Sequence, residues 1–180
     1  MDFPGAQITP LHISPFNMTA WGTNATTATL YPTNATWPSA NYALFTPVTI
    51  TAPYPVNRVF MMSGSGGTTS IHHDFGIYTP QGARIWSVGA GAQGGASTWQ
   101  YTTPSPTFIL DAGRYFFAYS CDSTTSSAIF GAAISVPAAR LSGMQQMASA
   151  YPLPSSATFA ALAQTPVVAF AGVTRTASGY

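Results

Sequence analysis

Residues 70–80, SIHHDFGIYTP, set His72, His73 and Asp74 side by side in a chain that has three histidines and four acidic residues in total. Imidazole nitrogens and a carboxylate are the ligands of a zinc ion, and also the base and orienting acid of a hydrolase. A zinc site takes three or four such ligands. The apolar residues around the cluster predict a strand, and strand alternation puts Ile71, His73, Phe75 and Ile77 on one face and His72, Asp74, Gly76 and Tyr78 on the other. One face then supplies two ligands at most, and the third histidine, His12, lies in an irregular N-terminal stretch. The expected reading is structural, with His73 on the apolar face and His72 and Asp74 at a strand end or a subunit contact, and with no metal site.

Other motifs lead to the same place. GAGAQG at 89–94 matches G-x-G-x-x-G, but that pattern holds a dinucleotide only where a helix opens behind it. Here GASTWQYTTPSP follows, so a loop between strands is expected. GSGGTTS at 64–70 has no lysine for a phosphate loop and reads as a flexible connector. There is no G-x-S-x-G elbow, and the carboxylates are Asp2, Asp74, Asp111 and Asp122 alone, with Asp111 placed as a turn former. No catalytic residue, no cofactor and no enzymatic activity are expected. Asn17, Asn24 and Asn34 head N-x-T sequons; with no basic stretch and apolar run in MDFPGAQITP to serve as a secretory signal, they are read as a by-product of an Asn/Thr-rich stretch.

The elements that position these residues are constrained by composition. Charged residues make up 5% of the chain, with neither Lys nor Glu, against roughly 25% in an ordinary soluble protein. Arg58, Arg84, Arg114, Arg140 and Arg175 are scattered singly and the net charge is +1, too little to replace phosphate counterions, so no nucleic-acid partner is expected. No apolar run approaches the ~18 residues of a membrane helix, so no membrane partner is expected either. Cys121 is alone, which excludes an intrachain disulfide. A 46% hydrophobic, 13% aromatic chain has the apolar area to fold, and its neutral Ser, Thr, Asn, Gln and Gly surface favours association between copies.

Residues 1–40 mix Pro, Asn and Thr with spaced aromatics and show no sustained period, which predicts an extended N-terminal arm. Within 41–136, short apolar or alternating runs at 42–50, 56–63, 71–78, 84–89, 97–102, 107–110, 113–121 and 128–136 are divided by turn residues. About eight short strands predict an all-β fold, an antiparallel β-sandwich of jelly-roll type. In the C-terminal segment 137–180, Leu141, Met144 and Met147 fall at helical intervals weakened by Gly143, which predicts one short helix at most, and TPVVAFAGVTRT reads as one final strand. Phe3, Trp21, Tyr31 and Trp37 punctuate the arm too irregularly for an amphipathic helix. They are expected to be interface anchors, folding back on their own sandwich being the alternative.

Trp37, Pro38 and Asn41, then Asp74, Gly76, Ile77 and Tyr78, then Gly82 and Arg84, then Leu110, Gly113, Tyr115 and Phe116, with YPLP at 151–154, form a pattern W-P-x-x-N, D-x-G-I-Y, G-x-R, L-x-A-G-x-Y-F. It resembles a family of small virion structural proteins of tailed bacteriophages, over about residues 31–155. The resemblance implies a virion-associated jelly-roll-like domain and names no catalytic residue. The expected function is that of a non-enzymatic capsid decoration or head-associated subunit that pairs with itself and other virion proteins. Alternatives are a tail-fibre or receptor-binding module stacking Trp86 or Trp99 on a host glycan, and a non-viral sugar-binding jelly roll. Deleting residues 1–40 is expected to leave a folded body that no longer assembles.

Overall fold

The structure, a computed structural model, describes residues 11–12 and 33–175. Its strands are β1 (Leu11–His12), β2 (Thr33–Ala35), β3 (Tyr42–Ile50), β4 (Tyr54–Val56), β5 (Arg58–Met62), β6 (His72–Tyr78), β7 (Arg84–Ser87) and β8 (Gly91–Ala92). They continue with β9 (Trp99–Thr102), β10 (Phe108–Leu110), β11 (Gly113–Cys121) and β12 (Ile129–Ala133), then helix α1 (Val136–Leu141), β13 (Gln145–Met147), β14 (Val167–Ala169) and β15 (Ala171–Thr174). All pairings are antiparallel, and the architecture is an all-β sandwich.

One layer is the sheet β13-β3-β11-β6-β7, with β8 also on β6. Its centre is the nine-residue ladder of β3 on β11, in register from Gly113 opposite Ile50 to Cys121 opposite Tyr42. The facing layer joins two shorter sheets, β1-β15-β5-β9 and β14-β12-β2. Phe170 stitches them together: its N–H donates to Phe130 O at 2.8 Å and its carbonyl accepts the Met62 N–H at 3.2 Å. Ser63 bridges to Ile129, so β12 takes over where β5 ends. Inward residues of both layers, among them Val59, Met61, Phe75, Ile77, Phe117, Ile129 and Val173, form the main core.

The six-stranded sheet is also covered on its outer face. Ala43, Phe45, Tyr78 and Ala118 pack there against Ala150, Leu153 and Ala157, which belong to an irregular strap between β13 and β14. A strand apolar on both faces is buried on both, which is why Ala43–Thr46 run without an exposed residue in the middle of β3.

Several expectations shift. β3 and β11 coincide with the predicted runs at 42–50 and 113–121. The run at 56–63 divides at Asn57, whose N–H donates to Thr174 O at 3.1 Å, so Tyr54–Val56 and Arg58–Met62 join different sheets. The single final strand likewise divides at Phe170. Helix α1 forms, with the Ser135 hydroxyl accepting the Ala138 N–H at 3.4 Å as its N-cap. It stops at Gly143, which has a positive φ of 82°. Met147 is therefore a strand residue of β13 opposite Ala43, Leu141 is 90% exposed, and the helical spacing of Leu141, Met144 and Met147 does not describe one helix.

The body also begins before residue 41. β2 pairs with β12, and Trp37, expected as an interface anchor, is 1% exposed in this chain's own core. Its indole N–H donates to Tyr42 O at 3.1 Å and its ring meets Tyr119 edge-on at 5.1 Å. A large aromatic ring linked to β3 by a few residues finds its apolar cover at home. Phe3, Trp21 and Tyr31 lie outside the described residues. Trp37→Ala is expected to cost about 3–5 kcal/mol in urea unfolding, and removal of residues 1–40 to destabilise the body with it. A truncated chain as stable as the full one would contradict this placement.

Candidate functional site

The three polar residues of β6 go three separate ways. His72, at the strand start, donates its Nδ1–H to Asp122 Oδ2 at 2.8 Å, and its backbone N–H donates to Asp122 Oδ1 at 2.9 Å. Both side chains are partly exposed. The pair closes the turn after β11 onto β6, where Asp122 N–H also donates to His72 O at 3.1 Å.

His73 points the other way, into the core, at 1% exposure. Its Nδ1 and the Tyr119 hydroxyl are 2.9 Å apart, with the rings edge-on. Gln100, inward on β9 of the opposite sheet, lies beside the imidazole, and Gln93 lies beside the Tyr119 hydroxyl. The two amides are tied down in turn, Gln100 Nε2 donating to Ala92 O at 2.8 Å and Gln93 Nε2 to Ala128 O at 3.3 Å. The result is a polar seam through an apolar core, linking β6 and β11 to β9 and to the loop before it. Burial holds the His73 pKa down at about 4, partly offset by the Asp122 charge, so the ring is neutral at neutral pH. Burial likewise raises the Tyr119 phenol well above its ordinary value and the Cys121 thiol to about 11.

Asp74 is fully buried under the strap. Oδ1 accepts the Gly89 N–H at 2.9 Å and Oδ2 accepts the Leu153 N–H at 3.0 Å. Burial raises its pKa; the two N–H donors and the Arg84 charge oppose the rise. Around it the strap is fastened at successive points. The Tyr78 hydroxyl donates to Pro154 O at 2.6 Å, the Arg84 guanidinium donates to Leu153 O, and the Arg84 N–H donates to Ser155 O at 2.9 Å. Ala157 N–H donates to Gly82 O at 2.8 Å. Gly82 sits at φ +87°, with Ala157 O only 2.2 Å from where a Cβ would stand, so a side chain has neither the backbone conformation nor the room.

The motif residues Asp74, Gly76, Tyr78, Gly82 and Arg84 and the YPLP stretch thus converge on one fastening, the strap against the outer face of the six-stranded sheet. The G-x-G-x-x-G loop is part of it, since its first amide binds the Asp74 carboxylate. Residues 64–67, expected as a flexible connector, are closely packed: a Cβ on Gly64 would lie 2.1 Å from Ser127 O. Trp86, named with Trp99 as a stacking residue, is partly buried against the core and Phe108, whereas Trp99 is 43% exposed. Sequence reasoning missed Tyr119, Gln93, Gln100 and Leu153; the inward register of Tyr119 and Gln100 was readable from strand alternation once the strands were placed. Among the described residues no group of three or more His, Cys, Asp or Glu is placed to hold a metal ion.

No family model matches the chain, and no curated protein and no solved structure matches it.

Asp74→Ala leaves the buried Leu153 amide without an acceptor, at about 1–3 kcal/mol, and frees the partly buried Gly89 amide. Limited proteolysis of this variant is expected to cut first within residues 148–160, well before the sandwich unfolds. Cleavage at the wild-type rate and position would show that the carboxylate does not hold the strap.

Proposed function

We propose that this chain is a non-enzymatic structural subunit of a bacteriophage particle, a capsid decoration or head-associated protein on a jelly-roll-type sandwich, acting through contacts with its own copies and with other virion proteins. The observation that carries the reading is the outward edge of β9. Trp99 and Tyr101 are 43% and 46% exposed, with near-parallel rings 6.2 Å apart, and no carboxylate lies on β5, β9 or β15. Exposed aromatics on a nearly uncharged strand, without the lysines or prolines that usually guard an edge, favour burial against another protein. Ile109 on β10, 60% exposed, adds to the same character.

The chemistry-bearing residues support the reading from the other side, because they are occupied by internal ties. Arg84 and Arg140 donate to the Leu153 and Leu162 carbonyls, and Arg58 and Arg175 lie over the Tyr101 and Tyr54 rings. These cations serve the fold, which fits a partner other than nucleic acid.

A second reading is favoured by the same pair of rings. A tail-fibre or receptor-binding module would stack a host sugar on Trp99, now without Trp86. The virion reading predicts hundreds of copies on the particle head by cryo-electron microscopy, whereas a few to tens on the tail would favour the second. Trp99→Ser with Tyr101→Ser is expected to leave the circular-dichroism spectrum unchanged and to weaken association by tenfold or more. Unaltered association together with lost binding on a glycan array would replace the first reading by the second.

A further inference from the structure

We propose that β9 is the contact strand of a two-fold dimer: β9 of a second copy of this chain pairs with it antiparallel and extends the sheet β1-β15-β5-β9 across both copies. The proposal deepens the function given above and rests on its claim that the chain acts through contacts with its own copies.

β9 is the last strand of its sheet, and it is firmly placed. Four pairs join it to β5, from Val59 opposite Thr102 to Met62 opposite Trp99. Beyond them the Ser63 N–H donates to Thr98 O at 3.1 Å, the Thr98 N–H donates to Ser63 Oγ at 3.0 Å and the Ser97 N–H donates to Gly64 O at 2.9 Å. Hydrogen-bonded pairs alternate along an antiparallel ladder. Since Ser63 and Thr98 form one, Met61 with Gln100 and Val59 with Thr102 are the next. Trp99 and Tyr101 therefore direct their N–H and C=O groups away from β5, and among the described residues no other backbone meets them. The same two residues carry the exposed rings. Trp99 packs on Phe60 and Phe170, at 5.9 and 5.4 Å between centroids, and the Arg58 guanidinium lies 5.2 Å from the centre of the Tyr101 ring, so both rings are already ordered. An edge with fixed backbone groups and fixed side chains loses little freedom when a strand is added to it.

The occupant follows from charge. In a two-fold contact each residue near the axis meets its own counterpart, and like charges set opposite each other are destabilising. Residues 96–103, ASTWQYTT, hold no Asp, Glu, Lys, Arg, His or Pro, so this strand tolerates its own copy at the axis. An axis through Gln100 sets Trp99 opposite Tyr101 of the second copy, and Tyr101 opposite its Trp99. Both N–H and both C=O groups that point outward from each copy are then paired, and two aromatic cross-strand pairs lie side by side on the outer face. An axis through Trp99 would instead set Tyr101 against Ser97, whose N–H is already given to Gly64 O.

Hydrogen exchange of the full chain, followed against protein concentration beside sedimentation, tests this. The Trp99 and Tyr101 amides are expected to be open in the monomer and to gain protection in step with the dimer, while the Gln100 and Thr102 amides, bonded to β5, stay protected throughout. Tyr101→Pro removes one outward N–H and leaves the β5 ladder intact. With one hydrogen bond lost per copy, it is expected to weaken dimerisation by about tenfold or more, and by more than Tyr101→Ser, which loses the ring and keeps the N–H. Should the proline variant fail to fold, the wild-type exchange profile decides alone. A chain that stays monomeric at every concentration, a dimer with open Trp99 and Tyr101 amides, protection of these amides already in the monomer, or a proline variant that associates as well as the serine one would overturn the proposal. The function above fails separately: the same dimer, formed by a chain absent from phage heads, would sink the virion reading and leave the β9 contact standing.

Discussion

A carboxylate enclosed by protein must be met by donors, and the donors that reach Asp74 fix where two other parts of the chain can go. One is the first amide of the Gly-rich loop, the other the Leu153 amide of a strap with no regular structure. Because the strap has no ladder of its own, its backbone polar groups depend on partners supplied by the sheet beneath: Asp74, Tyr78, Gly82 and Arg84, all on β6, β7 or the turn between them. With the strap in place, Leu153 and Ala157 close the second apolar cluster over Phe45 and Ala118. The centre of the outer face of the six-stranded sheet is then buried as well.

Strand alternation gives adjacent residues of β6 different tasks. His73 enters the space between the sheets, where its neutrality keeps the cost of burial low and its Nδ1 engages Tyr119. His72 and Asp74 share the opposite face but differ in depth, one at the open strand end with Asp122, the other beneath the strap. Three residues that suggest catalysis or metal binding when read as a string are separated by geometry into a turn closure, a seam and a clamp.

Much of this was legible before any coordinates. The alternation in YALFTPVTI and GRYFFAYSC located the two longest strands to the residue, and the same period assigned His73 to the apolar face. What the period could not reveal was the cover on the other face. The strap from 148 to 166 has no repeating apolar pattern, because its side chains are placed one at a time by hydrogen bonds to the sheet. Without it Asp74 reads as a surface or interface residue. Trp37 illustrates the same limit: an aromatic in a Pro- and Asn-rich stretch has no periodicity to say whether its cover lies in its own chain or in a neighbour. The breaks at Asn57 and Phe170 were hidden because each divides a continuous apolar run whose halves pair with different strands.

The most direct measurement of this account is the exchange rate of the single Leu153 amide in the native chain at neutral pH. If Asp74 receives it in a closed cover, that amide exchanges as slowly as those of the β3–β11 ladder, although it belongs to no strand or helix. Exchange at the rate of an open loop would mean that the strap does not rest on Asp74, and with it the interpretation of the His-His-Asp string would fall.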